Sequence, residues 1–540
     1  MGEATVSNAV LVTVDSLRAD AVGAYTGDRH TPVIDSLAAR GTVFDHAFAT
    51  GNWTPFSFPS ILASSSVFAE SGAIGVEEAT TLAETLSSAG VETAGFNAAN
   101  GFLTSHWGYD EGFDAFEPFV ASVGPSIYSK YLATHPTVEA WIQLLGSPLR
   151  RIESRIRGET DDRPFLDTSR MFDVEHAATS FLETTDEPFF LWVHYMDAHT
   201  PYVPAPRYIR EVSSNLLGTH QLLHAHTRTG LGLDVDDRTL EELETLYRAA
   251  VRQVDASIGR ILDTLDAEGV ADDTAVILAG DHGEEFQEHG HLAHYPKLYD
   301  ELIQVPLVVD VPGAPRRRVD HGVGLDAIPP TIAALLGVEP PDEWEGENLR
   351  STVTDGSPPT AEPVVSVTVR GDDVTAQPIP RSLADGDLYI SVRDAEWTYI
   401  ENVEDGSTEL YHRPSDPTQQ IDRAVDPTDD DESAKLKRER TVRQPAEQRP
   451  DHLLVAECLQ SRSEILVYLC WCGPLVAGTD RRGVGVGQGG EPIDDRLVVV
   501  GRVDGAVSLL GRIRRPVVEL LLVGVDVLDV DPVAIPDTHQ

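Results

Sequence analysis

Cysteine is nearly missing. The chain of 540 residues has three, Cys458, Cys470 and Cys472, all beyond residue 450, so the first 450 residues hold neither a disulfide framework nor a thiol nucleophile. Lysine is as scarce: Lys130, Lys297, Lys435 and Lys437 stand beside 37 arginines, and the 41 cations face 88 acidic residues for a net charge of −47. That balance disfavours nucleic acid as a partner. Long apolar runs are absent too. AVLVTV near the start and Pro516 to Val525 near the end are too short to span a bilayer or to form a signal h-region, and no basic n-region or twin arginine precedes the first. We therefore expect no transmembrane segment and a cytoplasmic protein. The carboxylates are spread along the chain, and molar salt, which shortens the Debye length to roughly 3 Å, relieves their repulsion. A halophilic cytosol is the expected setting.

What is present is a core. Hydrophobic residues make up 41% of the chain, which argues against wholesale disorder, and the length suits two to four domains. Short β-branched runs end in ionisable residues: Val10 to Val14 before Asp15, Phe189 to Val193 before His194, Ala275 to Gly280 before Asp281 and His282. Val305 to Val311 is a fourth run without such an ending. Between them lie helical patterns, Pro32 to Arg40 closed by Gly41, Glu78 to Ala89 closed by Gly90, and a long amphipathic one from Leu240 to Glu268.

Alternating strands and helices predict an α/β fold, a three-layer α/β/α sandwich with a mixed, mostly parallel central sheet. Beyond Leu349 the segments Val364 to Val369, Leu388 to Val392 and Trp397 to Glu401 predict a small C-terminal antiparallel subdomain. The expected organisation is a catalytic domain over 1–350, an α+β subdomain over 351–425, a charged linker over 426–450 and a tail over 451–540. That tail reads either as an appended strand domain or as a read-through extension.

In open α/β sheets ligands bind beyond the carboxyl ends of the strands. Asp15, His194, Asp281 and His282 belong there, and two carboxylates with an imidazole make a site for a hard-to-borderline divalent cation. Thr54-Pro55 opens an apolar helix as an N-cap and N1 pair, and a helix N-terminus is also a ready anion site. A hydroxyl there beside a metal becomes an activated nucleophile. The segment FLWVHYMDAHTPY carries His194 and His199 as candidates for general acid work, and GEEFQEHGHLAHYPKLYDE carries His289, His291 and His294.

In order, VTVDSLRAD, TPVIDSLAARGTVFDHAFA, the Thr54 segment, FLWVHYMDAHTPY, AGDHGEEFQEHG, LYDELIQVPLVV, DAIPPTIAALLG and ELYHRPSDPTQQ resemble the sulfatase family of the alkaline phosphatase superfamily over residues 8 to 422. The resemblance implies a metal-bound nucleophile that takes a sulfuryl or phosphoryl group and is then released by water. In sulfatases that nucleophile is formylglycine, made from the Cys or Ser that opens C/S-x-P-S-R. Here Thr54 fills the position, with Ser57 at the motif's Ser and Phe58 at its Arg. The alternative register starts at Ser57 and puts Ile61 where Arg belongs.

Other departures are Ser16 in place of a second aspartate, AGFNAANGF with Asn97 and Asn100 in place of a lysine-containing motif, and a displaced lysine before LYDE. Fewer cations mean less preorganised neutralisation of the transferred group. The resemblance thus implies one divalent cation, Ca2+, Mg2+ or Mn2+, held by Asp15, Thr54, Asp281 and His282. Thr54 is the nucleophile and His199 the acid, with Arg18, Ser57, Asn100, His294 and Lys297 at a small anionic ester substrate. A transferase of phosphoryl-linked groups and a degenerate anion-binding member are the competing readings.

Overall fold

The computed structural model describes residues 5–28, 30–68, 72–120, 163–164, 167, 169–185, 188–213, 235–360, 362–370, 380–424, 497–503 and 506–513, with isolated positions elsewhere. The chain divides into two compact units, Met1–Arg449 and Pro450–Gln540.

Five strands of the first unit are mostly apolar because helices cover both faces of their sheet, with Asp45 and His46 the polar interruption in the second. They are β1 (Asn8–Val14), β2 (Thr42–Phe48), β5 (Phe189–Tyr195), β6 (Thr274–Gly280) and β7 (Gln304–Asp310). With β3 (Glu92–Asn97), β4 (Ala115–Glu117) and β8 (Arg317–Gly324) they form an eight-stranded sheet in the order β8-β2-β7-β6-β1-β5-β3-β4. β7 runs antiparallel to β2 and β6, while the other neighbours are parallel. Prolonging β1 past Val14, aligned with Gly280 and Tyr195, brings Asp15 beside the ends of β5 and β6.

Helix α1 (Pro32–Arg40) has the expected bounds. Helix α2 spans Thr54–Ala63, with Trp53 as N-cap and Thr54 inside the first turn rather than capping it. The proline signal tolerates either register, since its missing N–H falls in the first turn both ways. Helix α3 begins at Leu82, not Glu78, because Thr81 and Glu84 close a reciprocal capping box that fixes the start. The long helix α4 (Asp237–Glu268) is capped by the Asp236 side chain and ends at Gly269 in the left-handed region. One face of the sheet buries Val10, Val12, Leu191 and Val193 against Leu246, Val254 and Ile258 of α4. The other buries Leu11, Trp192 and Ile277 against Phe58, Ile61 and Leu86 of α2 and α3.

A four-stranded antiparallel sheet follows, β9 (Val364–Arg370), β10 (Asp387–Arg393), β11 (Trp397–Asn402) and β12 (Thr408–His412). It docks on the site side of the central sheet, where Ser366 Oγ donates to the Ala49 carbonyl and buried Arg393 and Arg413 share Asp300. The linker over 426–450 lies outside the described residues apart from 435 and 436. Of the tail, only β13 (Leu497–Val503) and β14 (Ala506–Ile513) are described, as an antiparallel pair. No described helix is long and apolar enough to cross a membrane.

Candidate active site

Four chain segments meet at the carboxyl ends of β1, β3 and β6 and the first turn of α2. Asp15 follows β1 directly, and Ser16 turns the chain away with φ of 58°, a left-handed conformation uncommon for a residue with a Cβ. Its hydroxyl donates to Asp15 Oδ1 at 2.9 Å and its N–H to Asp281 Oδ1 at 3.0 Å. Asp281 Oδ1 also accepts the His282 N–H at 2.8 Å, and Asp281 Oδ2 is buried with no hydrogen-bond partner among the described residues. Gly283 is required here, because a Cβ on it would lie 1.9 Å from the Glu301 carbonyl oxygen.

Asp15, Asp281 and His282 are fully buried or nearly so, and one ligand atom from each lies within 4.8 Å of the others. His282 Nε2 is 3.5 Å from Asp15 Oδ1 and 3.7 Å from Asp281 Oδ2. Nδ1 of the same ring faces the Gly283 carbonyl at 2.9 Å. A carbonyl only accepts, so Nδ1 carries the hydrogen and the Nε2 lone pair points at the carboxylates, the form that binds a metal. Burial lowers the His282 pKa and keeps the ring neutral.

Burial by itself would raise Asp15, but the neighbouring imidazoles, His199 first and then His194 and His282, hold it far below the carboxylate range. Asp281 is pushed up to about 8, first by burial and then by the Asp15 charge. Two buried carboxylates of which only one ionises readily, an orphaned oxygen and a lone pair aimed at both fit a divalent cation, which would let both ionise.

Thr54 Oγ1 donates to Asp15 Oδ2 at 3.2 Å and lies 3.5 Å from His282 Nε2. Asn100 Nδ2 reaches both Asp15 Oδ2, at 3.2 Å, and Thr54 Oγ1, at 3.4 Å. Asn97 holds that loop, donating to the Asn100 and Leu103 carbonyls. The Ser57 hydroxyl is turned the other way, onto the Asp281 main-chain carbonyl.

Three imidazoles line the approach. The His294 ring is 5.2 Å from His282 and 4.8 Å from His199, and its Nδ1 is 3.3 Å from Glu284 Oε2. Burial opposes ionisation of Glu284, but the bond to His294 and the charges of His294 and His199 outweigh it and bring its pKa down. His199 Nδ1 donates to the Thr200 carbonyl at 2.5 Å, which leaves its Nε2 for proton transfer.

Arg18 and Lys297 have other partners. The Arg18 guanidinium is engaged by Asp20 and Glu288, and the Lys297 ammonium by Glu285 at 3.4 Å and the His289 carbonyl at 2.5 Å. Neither makes a hydrogen bond or ion pair with Thr54, Asp15, Asp281 or His282 among the described residues.

The sequence reading set His194 past the end of its strand and did not single out Glu284. His194 lies within β5 rather than beyond it, with Nε2 3.8 Å from Asp15 Oδ2. Glu284, buried two positions after His282, accepts from the Tyr202 hydroxyl at 2.5 Å as well as facing His294. The signal for Glu284 was its place directly after the Asp-His-Gly turn, which ties it to the same strand end.

The sulfatase family profile matches residues 7–338. The chain belongs to the sulfatase family. This sulfatase is 26% identical over 369 residues to YidJ, an uncharacterized sulfatase of Escherichia coli, which covers 63% of this chain and 70% of that one. Its fold matches the phosphonate monoester hydrolase of Agrobacterium radiobacter with a TM-score of 0.61 at 20% identity, over 81% of this chain and 96% of the other. A structure in complex with its substrate D-glucosamine-2-N,6-O-disulfate matches with a TM-score of 0.61 at 18% identity, over 82% and 100%. Membership makes this chain a sulfatase-family hydrolase.

Proposed function

We propose that this sulfatase cleaves a small sulfate or phosphate ester with unmodified Thr54 as nucleophile and one divalent cation, Ca2+, Mg2+ or Mn2+. The observation that carries the reading is the pair of hydroxyls on the first turns of α2. Thr54 Oγ1 faces Asp15 and His282, while Ser57 Oγ is tied to a main-chain carbonyl. Asp15, Asp281, His282 and the Thr54 hydroxyl would hold the cation, which would lower the hydroxyl's pKa and screen the incoming anion.

Thr54 Oγ attacks the sulfur or phosphorus, and the bond to the leaving oxygen breaks. Asp15 Oδ2 is the nearest acceptor for the Thr54 proton, and Asn100 Nδ2 steadies the same oxygen. His199 gives a proton to the departing oxygen, so the alcohol leaves neutral. Water then attacks the transferred atom and gives a proton to His199, the bond to Thr54 Oγ breaks, and Thr54 takes its proton back from Asp15. His294, held by Glu284, faces the oxygens of the transferred group. The chain's charge of −47 supports molar salt as the working medium.

Turnover of an aryl phosphate, an aryl phosphate diester and an aryl sulfate in high salt tests the reading, with intact mass and peptide mapping of the active protein. Cation-dependent turnover with an unmodified Thr54-to-Ser57 peptide supports it. An aldehyde at Ser57 overturns it.

A further inference from the structure

The metal reading leaves one buried group beside Asp15 without a role. His194 is fully buried in β5, and its Nε2 has no hydrogen-bond partner among the described residues. A buried polar atom without a partner costs about 1–3 kcal/mol, so an orphan next to a carboxylate calls for an account.

Three side chains settle which ring nitrogen carries the hydrogen. Trp192 Nε1–H donates to Thr13 Oγ1 at 3.0 Å. An indole N–H can only donate, so the Thr13 hydroxyl accepts there and has one hydrogen left to give. Two groups are in reach, the Val193 carbonyl at 3.4 Å, which only accepts, and His194 Nδ1 at 3.0 Å, which accepts in one tautomer and donates in the other. Asp15 decides between them. Nδ1 then accepts, the neutral ring carries its hydrogen on Nε2, and that N–H faces Asp15 Oδ2 at 3.8 Å. The opposite assignment would set a bare nitrogen lone pair against a carboxylate oxygen in a buried site, which is repulsive.

The ring has little room to turn. Phe58 meets it edge-on with centroids 5.0 Å apart and an interplanar angle of 87°, and Trp192 lies on another side at 6.3 Å. The strand register holds the relay together, because Thr13 on β1 is paired with His194 on β5.

We propose that His194 is a positioning residue for Asp15: the Trp192–Thr13 relay fixes its Nε2–H tautomer, and this N–H orients the carboxylate that holds the cation. The proposal rests on the metal reading above and extends it to a residue that touches neither substrate nor cation. Outer partners of this kind typically contribute about 10- to 100-fold to metal affinity.

The test uses the full chain, stripped of metal with chelator, dialysed in molar salt and titrated with Mn2+ while the free ion is followed by its electron paramagnetic resonance signal. Thr13→Val keeps the shape of the side chain and removes the hydroxyl, and should raise the Mn2+ dissociation constant about 10- to 100-fold. Thr13→Ser restores the hydroxyl and should stay close to the parent. His194→Gln keeps an N–H donor and should bind more tightly than His194→Phe. Circular dichroism confirms that each variant is folded, and Thr13→Val decides the matter if the His194 variants are not. Parent-like Mn2+ binding by Thr13→Val overturns the proposal, as does equal weakening by His194→Gln and His194→Phe. A parent chain that binds no Mn2+ removes the metal reading itself, and this proposal with it.

Discussion

Replacing Thr54 by alanine separates chemistry from folding at this site. The hydroxyl makes one hydrogen bond to a buried carboxylate, Asp15 Oδ2 at 3.2 Å, and accepts a second from Asn100. Deleting it costs the fold about 1.5–3 kcal/mol, the range for a bond to a charged group. No helix cap is lost, because Trp53 rather than Thr54 is the N-cap. The rest of the side chain is packed inside the first turn, and alanine suits that position better than threonine.

Thr54→Ala should therefore fold, still bind the cation through Asp15, Asp281 and His282, and lose turnover on the order of 10⁴-fold or more, the scale seen when a hydrolase loses its nucleophile. Ser57→Ala is the control. It removes the bond to the Asp281 carbonyl, costs about 1 kcal/mol, and should keep most of the activity. The assay is hydrolysis of a nitrophenyl phosphate, its diester and the sulfate at saturating cation in molar salt, with thermal unfolding recorded on each sample. Thr54→Ala with the parent's rate refutes the reasoning, and so does Ser57→Ala with none.

Chelation should abolish turnover while leaving far-UV circular dichroism unchanged, since the strands that carry Asp15 and Asp281 are held by the sheet; full activity in chelator would contradict this. His199→Ala should slow alkyl esters by about 10² to 10⁴, but nitrophenyl esters much less, because a good leaving oxygen needs little protonation. Equal losses on both would remove the acid role. Asp197 is half-buried with Ser169 and Gln253 as partners and no ion pair among the described residues, and desolvation followed by the Asp167 charge pushes its pKa up to about 7. A carboxyl raised in the fold favours its protonated form, so its contribution is complete below about pH 4 and is lost as the pH climbs to about 7. Asp197→Asn should flatten that part of the stability curve in chemical denaturation, and an unchanged slope would show that the group titrates normally.

The apolar runs before Asp15, Asp281 and His282 are written plainly in the sequence. A strand buried on both faces must be apolar along its whole length, so the place where it stops marks a strand end and the ligand edge of the sheet. The C-terminal antiparallel strands were legible for the same local reason, alternation bounded by turn residues. The capping box at Thr81 was equally local, a Thr three residues before a Glu, and it overrides the hydrophobic pattern that extended the helix back to Glu78.

Other facts depend on which strands become neighbours. The antiparallel direction of β7 follows from its partners β2 and β6 and not from its own residues, which read like any buried strand. Arg18 is a suitable anion ligand by type, but Asp20 and Glu288 reach it first, and Lys297 meets Glu285. His194 looked like the start of a loop because the apolar run ends before it. Only pairing with Thr13, 181 positions away, makes it the last-but-one residue of β5 and turns it toward Asp15.

The choice between Thr54 and Ser57 was open to the sequence only as a question of motif register. Both are hydroxyls on one helix, three residues and almost one turn apart, so helical geometry places them close together on one side. The sequence by itself determined the parallel-rich sheet, its ligand edge and the ionisable residues gathered there, because burial and periodicity are properties of short segments. Tertiary structure decided which of those groups face one another, because a hydrogen bond or a metal site depends on ångström distances between segments that sequence separation does not encode. The β1–β6 pairing carries Asp281 to Asp15, and the two hydroxyls of α2 then differ only in what lies opposite each: a buried carboxylate for Thr54, a main-chain carbonyl for Ser57.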